Sequence, residues 1–405
     1  MEIQNTSIKK IAIVGGGPAS MILAAELNAK KYDISVFEKN AALGRKFLVA
    51  GKGGFNLTHS EPIDLLEKKY IPDDFQKRSL NCFNNSDLRE WFDNIGIKTY
   101  IGTSKRVFPV KGTKPIEVLK AIEEKLKTNK VKIYTEHEWK GFAGNGELMF
   151  FDKSATKYMK FDIVVFALGG GSWQVTGSND KWLGYFSGKG VAIKQFEPSN
   201  CAFKIEWGNK MIKEMEGKVL KNCHFSCGSK THKGEAVLTK FGIEGSGVYP
   251  LSSEIRKQLK KSGKTTVKID FKPELSEPEI EKRFDKMGKL NIKQILSQKV
   301  NLTDLQCDLI KQETTKEQYT DPKYLSKLIK AFSLNITGLA PIDEAISTVG
   351  GIDLNEVDEN LELKKMPNHY CIGEMLDWDA PTGGYLLQGC FSMGYYLAQH
   401  LNMKM

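Results

Sequence analysis

Ile11-Ala-Ile-Val-Gly-Gly-Gly-Pro-Ala-Ser20 passes from an apolar run into glycines and a proline, the pattern of a strand that turns sharply into a helix. Gly15 supplies the turn, and Gly17 leaves room for a pyrophosphate to reach backbone N–H groups at the helix N-terminus, where the dipole favours anions. Pro18 and Ala19 complete the turn. Ser20 stands at the third glycine position of G-x-G-x-x-G; it is small enough for helix-to-strand packing, yet it departs from the pattern. About twenty residues further on, Glu38 closes a second apolar run, with Lys39 beside it. A carboxylate there accepts hydrogen bonds from the ribose hydroxyls of an adenosine and repels a 2′-phosphate. The alternative is a glycine turn in an unrelated α/β protein.

The second stretch is Leu43-Gly-Arg-Lys-Phe-Leu-Val-Ala-Gly-Lys-Gly-Gly-Phe-Asn-Leu-Thr-His59. A backbone that must lie against a planar ring or a diphosphate needs missing side chains, which Gly51, Gly53 and Gly54 provide, with Ala50, Asn56 and Leu57 in the same run. Arg45, Lys46 and Lys52 can neutralise phosphate charge. A plain surface loop is the bland alternative. The third stretch, Gly373-Glu-Met-Leu-Asp-Trp-Asp-Ala-Pro-Thr-Gly-Gly-Tyr-Leu-Leu-Gln388, repeats the logic. A strand ends at Gly373, and Glu374 is placed to bind hydroxyls of a sugar alcohol. Gly383 and Gly384 then precede Tyr385, Leu386, Leu387 and Gln388, with a helix expected from near Leu387. Tyr385, His59 and Lys52 are candidate proton donors, and no catalytic residue is assigned among them.

These stretches need elements to hold them. Residues 11–14, 19–27 and 34–37 read as strand, helix and strand, a βαβ unit. Residues 41–59 read as a long functional loop, 87–95 and 115–127 as helices, and 131–134 as a returning strand. Residues 161–168 form another buried strand, running into Gly169, Gly170 and Gly171. Beyond about residue 195 the texture becomes short strands with turns, then lysine-rich helices over 278–332, and the first texture resumes from 350. The expected domains are a discontinuous dinucleotide-binding domain (1–195 and 340–405), an inserted β-rich domain (196–275 and 333–339) and a helical insertion (276–332).

At 405 residues the chain can bury two or three cores, and its 40% hydrophobic and 27% charged residues exclude a disordered or fibrous class. The formal charge of +10 is lysine spread along the chain with short clusters such as Lys257, Lys260, Lys261 and Lys264, which reads as a solvated surface rather than a nucleic-acid site. Seven scattered cysteines argue against a disulfide framework. Cys223 and Cys227, with His224 and His232 nearby, lack a second ligand pair of useful spacing, so no metal is expected. Glu2 and the early apolar strand leave no room for a signal peptide, and no apolar run approaches the roughly 18 residues of a membrane helix, so a cytoplasmic protein without a membrane partner is expected.

Together with Ala167-Leu-Gly-Gly-Gly-Ser-Trp173, Arg106-Val-Phe-Pro109 and Gly242-Ile-Glu-Gly245, the three stretches resemble bacterial flavoproteins called aminoacetone-oxidase-like or NAD(P)/FAD-dependent oxidoreductases. The resemblance spans essentially the whole chain and is most specific in G-R-K-F-L-V-A-G-K-G-G-x-N-L-T-H. It implies an α/β fold with a Rossmann-like FAD-binding domain of the glutathione-reductase and fumarate-reductase type, an inserted β-barrel-like domain and a small helical insertion. It implies FAD as cofactor, with Gly15, Gly17 and Ser20 at the pyrophosphate and Glu38 at the ribose. By the same resemblance Trp139 lies at the backbone site facing adenine, and Ala167, Gly169 and Gly170 lie near that half of the cofactor. Glu374 and Gly383 to Gln388 would meet the ribityl chain and flavin. Many relatives carry Gly-Arg-Cys-Asn where this chain has Gly53-Gly54-Phe55-Asn56, so the roles of that arginine and cysteine do not carry over. The implied activity is hydride transfer at flavin N5 with a small-molecule substrate. NAD(P)H would be an external electron donor, since a single dinucleotide fingerprint is visible. An FAD-dependent RNA-modifying enzyme and a non-enzymatic flavin-binding protein are the competing expectations.

Overall fold

The computed structural model describes residues 8–49, 55–206, 214–285 and 290–404. The chain divides into two compact units, one formed by residues 1–197 with 347–405 and the other by 198–346.

The first unit is built on a five-stranded parallel sheet in the order His369–Cys371, Ile163–Phe166, Lys9–Val14, Tyr32–Phe37, Lys132–Tyr134. Both faces of such a sheet are covered, which is why Ile163–Phe166 and the end of Lys9–Val14 are unbroken apolar runs of buried residues. Helix Pro18–Glu26 links the first two strands, and the long C-terminal helix Tyr385–Met403 packs on it. Their close approach depends on Gly394, where a Cβ would lie 2.2 Å from the Ala19 carbonyl oxygen. Helix Pro115–Thr128 buries Val118, Leu119, Ile122 and Leu126, the spacing of one apolar stripe. A small antiparallel sheet of Thr58–His59, Arg106–Pro109 and Thr99–Ile101 carries the end of the glycine-rich stretch, and a second joins Glu138–Phe142, Leu148–Phe151 and Thr156–Met159. The chain leaves this unit along Ile193–Ser199 and returns along Ser347–Ile352, and these two strands pair.

In the second unit, strands Phe203–Ile205, Gly242–Glu244, Lys230–Leu238, Val219–Cys227, Thr265–Asp270 and Phe332–Leu339 close into a barrel. Helices Glu277–Phe284, Ile292–Gln298, Asp304–Gln312, Lys316–Tyr319 and Pro322–Lys330 are inserted between the last two strands. Local signals start them: Asn291, Thr303 and Thr315 each accept a hydrogen bond from the backbone N–H three residues on. Ile280, Phe284, Ile295, Leu309 and Ile329 share one core with Phe225, Val267, Ile269 and Ile336 of the barrel. Cys223 and Cys227 are buried thiols, and burial pushes Cys223 up to about 12.

Candidate functional site

The first two parallel strands and the helix between them build one end of a deep cleft. Gly15 has φ +108°, and a Cβ there would lie 2.3 Å from the Ala167 carbonyl oxygen of the neighbouring strand, so the turn admits no side chain. Gly17 caps helix Pro18–Glu26 without a side-chain hydrogen bond, and a Cβ there would meet nothing within 4 Å. Gly17 and the first helical residues, Pro18 and Ala19, line the cleft. Ser20 is fully buried and its hydroxyl donates to the Gly17 carbonyl at 2.7 Å, so it locks the turn rather than projecting into the cleft.

Glu38, buried at the end of Tyr32–Phe37, is held from two sides. Its Oε2 accepts from Gly16 N at 2.8 Å, and its Oε1 from Asn40 N at 2.8 Å and Asn40 Nδ2 at 2.6 Å. A Cβ on Gly16 would sit 2.5 Å from Leu43 Cδ2 and 2.9 Å from that Oε2, so the middle glycine is required by both neighbours. Arg45 Nη1 in turn donates to Asn40 Oδ1 at 2.9 Å. Gly16 and Asn40 were missed in the sequence; an amide two residues after the carboxylate is the signal that marks them.

The cleft holds about 1110 Å³ of space not filled by protein, part of it open to solvent. Of the residues singled out in the sequence, Gly15, Gly17, Pro18, Ala19, Glu38 and Lys39 line it, as do Arg45, Lys46, Trp139, Ala167, Gly169, Gly373 and Glu374. Lys46 Nζ joins two stretches far apart in sequence, lying 3.3 Å from Glu374 Oε2 and donating to Ser172 Oγ at 2.9 Å. Burial pulls the Lys39 ammonium below the usual lysine range. Trp182 and Cys390 also line the cleft; neither was found from sequence, and neither carries a local signal. Trp139 and Trp182 each bury an indole N–H with no acceptor among the described residues. Gly170 packs instead on Thr348, whose Oγ1 would lie 2.3 Å from an added Cβ. Leu57 is buried in the core and Asn56 is half-buried beside it. Ala50, Gly51, Lys52, Gly53 and Gly54 lie outside the described residues.

The third stretch forms a second helix N-terminus. The helix begins at Tyr385 rather than near Leu387, because Gly384, at φ +104°, is already its cap. A Cβ on Gly384 would lie 2.4 Å from the Thr58 carbonyl carbon, so the turn presses directly on the strand Thr58–His59. Gln388 is fully buried and receives the Thr58 hydroxyl at 2.6 Å while donating to Ser392 Oγ at 2.9 Å and the Phe83 carbonyl at 3.2 Å. It fastens the helix rather than facing the cleft. The His59 ring stacks on Tyr385, centroids 5.1 Å apart, and Tyr70 Oη donates to the Tyr385 carbonyl at 2.8 Å. Burial holds the His59 imidazole below its usual range and the Tyr385 phenol above its own. Leu386 and Leu387 are half-buried on the same turn.

The profile of the HI0933-like protein Rossmann domain matches residues 9–400. The chain belongs to the HI0933-like Rossmann-domain family. It is 25% identical over 409 residues to a 3-dehydro-bile acid delta(4,6)-reductase of Clostridium scindens, covering 96% of this chain and 98% of the relative. It is 24% identical over 406 residues to a ribosomal RNA dihydrouridine synthase of Haemophilus influenzae, covering 97% and 98%. Among solved structures it resembles a 3-ketosteroid delta1-dehydrogenase of Sterolibacterium denitrificans (TM-score 0.52, 11% identity, 98% of this chain and 100% of that one). It also resembles a flavocytochrome c3 fumarate reductase (TM-score 0.50, 12% identity, 97% and 78%). The fold of this HI0933-like chain is thus a Rossmann-type FAD-binding domain carrying a six-stranded barrel.

The residues present fit FAD. Gly17 and the uncapped helix start suit the pyrophosphate, and the Glu38 carboxylate suits the ribose. The orphaned indole N–H groups lie in residues that line the same end of the cleft. Among the described residues no group of three His, Cys, Asp or Glu could hold a metal ion, and no helix is long and apolar enough to cross a membrane.

Proposed function

We propose that the protein is an FAD-dependent reductase that saturates a carbon–carbon double bond conjugated to a carbonyl in a small molecule. The observation that carries this reading is the cleft, in which an open glycine cradle at Gly17 and the fastened carboxylate of Glu38 share one end of a parallel sheet. The activities named for the two relatives support the reaction class, since a delta(4,6)-reductase and a dihydrouridine synthase both add hydrogen across a double bond. When bound, FAD supplies a hydride at N5.

The chain's own residues do the rest. Gly17 and the helix behind it bind the pyrophosphate, and Glu38 fixes the ribose and disfavours a 2′-phosphate. Lys46 and Glu374, already paired, orient the ribityl chain. The Gly383–Gly384 turn and the start of the C-terminal helix would hold the pyrimidine edge of the flavin. Tyr385, stacked on His59 beside the turn, serves as the proton donor. In this reading the unit of residues 1–197 and 347–405 binds the cofactor, residues 340–346 going with the barrel unit instead. NAD(P)H reduces the flavin from solution.

The test is anaerobic. Purified protein reconstituted with FAD is reduced with NADH or NADPH, then mixed with conjugated enones, with small amines of the aminoacetone type, and with total RNA. Flavin reoxidation by an enone, with the saturated product found by mass spectrometry, is the expected result. Turnover of the amines alone would replace the reading. The RNA arm tests a second reading, favoured by the dihydrouridine synthase relative: new dihydrouridine would assign the same chemistry to uracil in RNA.

A further inference from the structure

Arg106 opens the strand Arg106–Pro109, half-buried and directly opposite His59 in the antiparallel ladder, so the two side chains leave on one face. A Cβ on Gly383 would lie 3.1 Å from Arg106 Nε and 3.7 Å from its Cζ, which places the guanidinium against the glycine turn.

The sequence has six arginines, and the other five all have acceptors. Arg45 donates to Asn40, Arg78 pairs with Glu359, Arg89 donates to Thr99, Arg256 to Ser199, and Arg283 to the Lys299 carbonyl. Arg106 makes no side-chain hydrogen bond or ion pair with any described residue. Glu61 Oε1 lies 3.8 Å from His59 Nδ1 and is not paired with Arg106. A half-buried fork of five N–H donors that meets no acceptor among the described residues suits an oxygen-bearing ligand.

We propose that Arg106 is a substrate-contact residue whose guanidinium holds the carbonyl oxygen of the α,β-unsaturated substrate. The proposal rests on the reading above, in which the Gly383–Gly384 turn faces the flavin. Hydride from the reduced flavin forms the new C–H bond at the β-carbon, the π pair of the double bond moves to the α-carbon and carbonyl, and negative charge collects on oxygen. A proton from Tyr385 or water then reaches the α-carbon, and a two-electron donor of the dihydronicotinamide class restores the reduced flavin. A fixed cation at that oxygen is stronger in the transition state than in the ground state, which is what accelerates the step.

The probe is 4-chlorophenol, whose phenolate mimics the enolate and gives a charge-transfer absorbance when stacked on oxidised flavin. FAD-loaded wild type is expected to bind it as phenolate, with the phenol's acidity increased on the protein. R106Q is expected to weaken phenolate binding at least ten-fold with FAD content and melting temperature unchanged, and R106K to lie between. Equal phenolate binding by R106Q, or binding of the neutral phenol by wild type, would overturn the proposal. So would an R106Q protein that loses FAD but, once reloaded, keeps the phenolate, since Arg106 would then hold the cofactor. If R106Q does not fold, the protonation state of the phenol on wild type decides. A chain that takes up no FAD would sink the reading of the cleft instead, whereas an FAD-loaded chain that binds no phenolate sinks Arg106's role alone.

Discussion

At the scale of single residues, the two outer glycines of the first motif have different duties, and substitution separates them. Gly17 caps its helix in extended backbone with open space ahead of it, so Gly17→Val should cost the apoprotein no more than about 1 kcal/mol, the scale of a lost capping preference, while abolishing FAD binding. Apoprotein melting together with a flavin titration reads both effects. Gly15→Ala, by contrast, drives a Cβ into the Ala167 carbonyl and should unfold the sheet. Glu38→Ala should weaken FAD binding by roughly 1–3 kcal/mol, the worth of hydrogen bonds to a charged group, and unchanged affinity would place the ribose elsewhere. Histidines set the acid limit. Burial holds His59, His369 and His400 below 6.5 in the folded chain, so the unfolded chain takes up protons first as pH falls. The stability they contribute is present above pH 6.5 and is lost as pH drops from there towards their folded values. The melting temperature should therefore fall between about pH 7 and about pH 5, and His369→Asn should flatten that slope; a slope identical to wild type would remove His369 from the cause.

At the scale of elements, two helix starts carry the site. The helix Tyr385–Met403 begins from an uncapped Gly384 that presses on Thr58. Negative charge accumulates at the flavin N1–C2=O edge on reduction, and a helix N-terminus stabilises an anion by roughly 0.3–2 kcal/mol. At about 30 mV per 1.4 kcal/mol for two electrons, the helix should raise the potential by up to about 40 mV. Gly384→Ala, with its Cβ 2.4 Å from the Thr58 backbone, must tilt the turn, and should lower the potential and weaken a sulfite adduct at N5. An FAD-loaded variant with both properties unchanged would show that the helix points elsewhere. These helices were legible as local patterns, because proline in the first turn and paired glycines are short-range signals. The start at Tyr385 was not, because left-handed Gly384 is pressed by the Thr58 backbone, more than three hundred residues earlier.

At the scale of the molecule, the parallel sheet and the barrel have separate hydrophobic cores. The chain exits along Ile193–Ser199 and returns along the paired strand Ser347–Ile352, so the ends of a cut at 197 and 347 lie on adjacent strands. A protein in which a short glycine linker replaces residues 198–346 should fold and bind FAD, as measured by flavin fluorescence and thermal melting. An insoluble or colourless product would show that the FAD-binding unit depends on the insert.

What the sequence determined by itself is local: the strand–glycine–helix turn, the carboxylate closing the next strand, and the change from parallel-strand texture to short strands and then lysine-rich helices. Each is written in neighbouring residues, because turns, caps and apolar periodicity act over a few positions. The tertiary structure alone decided the pairings between distant segments. Lys46 meets Glu374, Gly394 admits Ala19, and Arg106 stands opposite His59 with no acceptor among the described residues. No local pattern encodes these, because each depends on the register of strands and helices that only the packed core brings together.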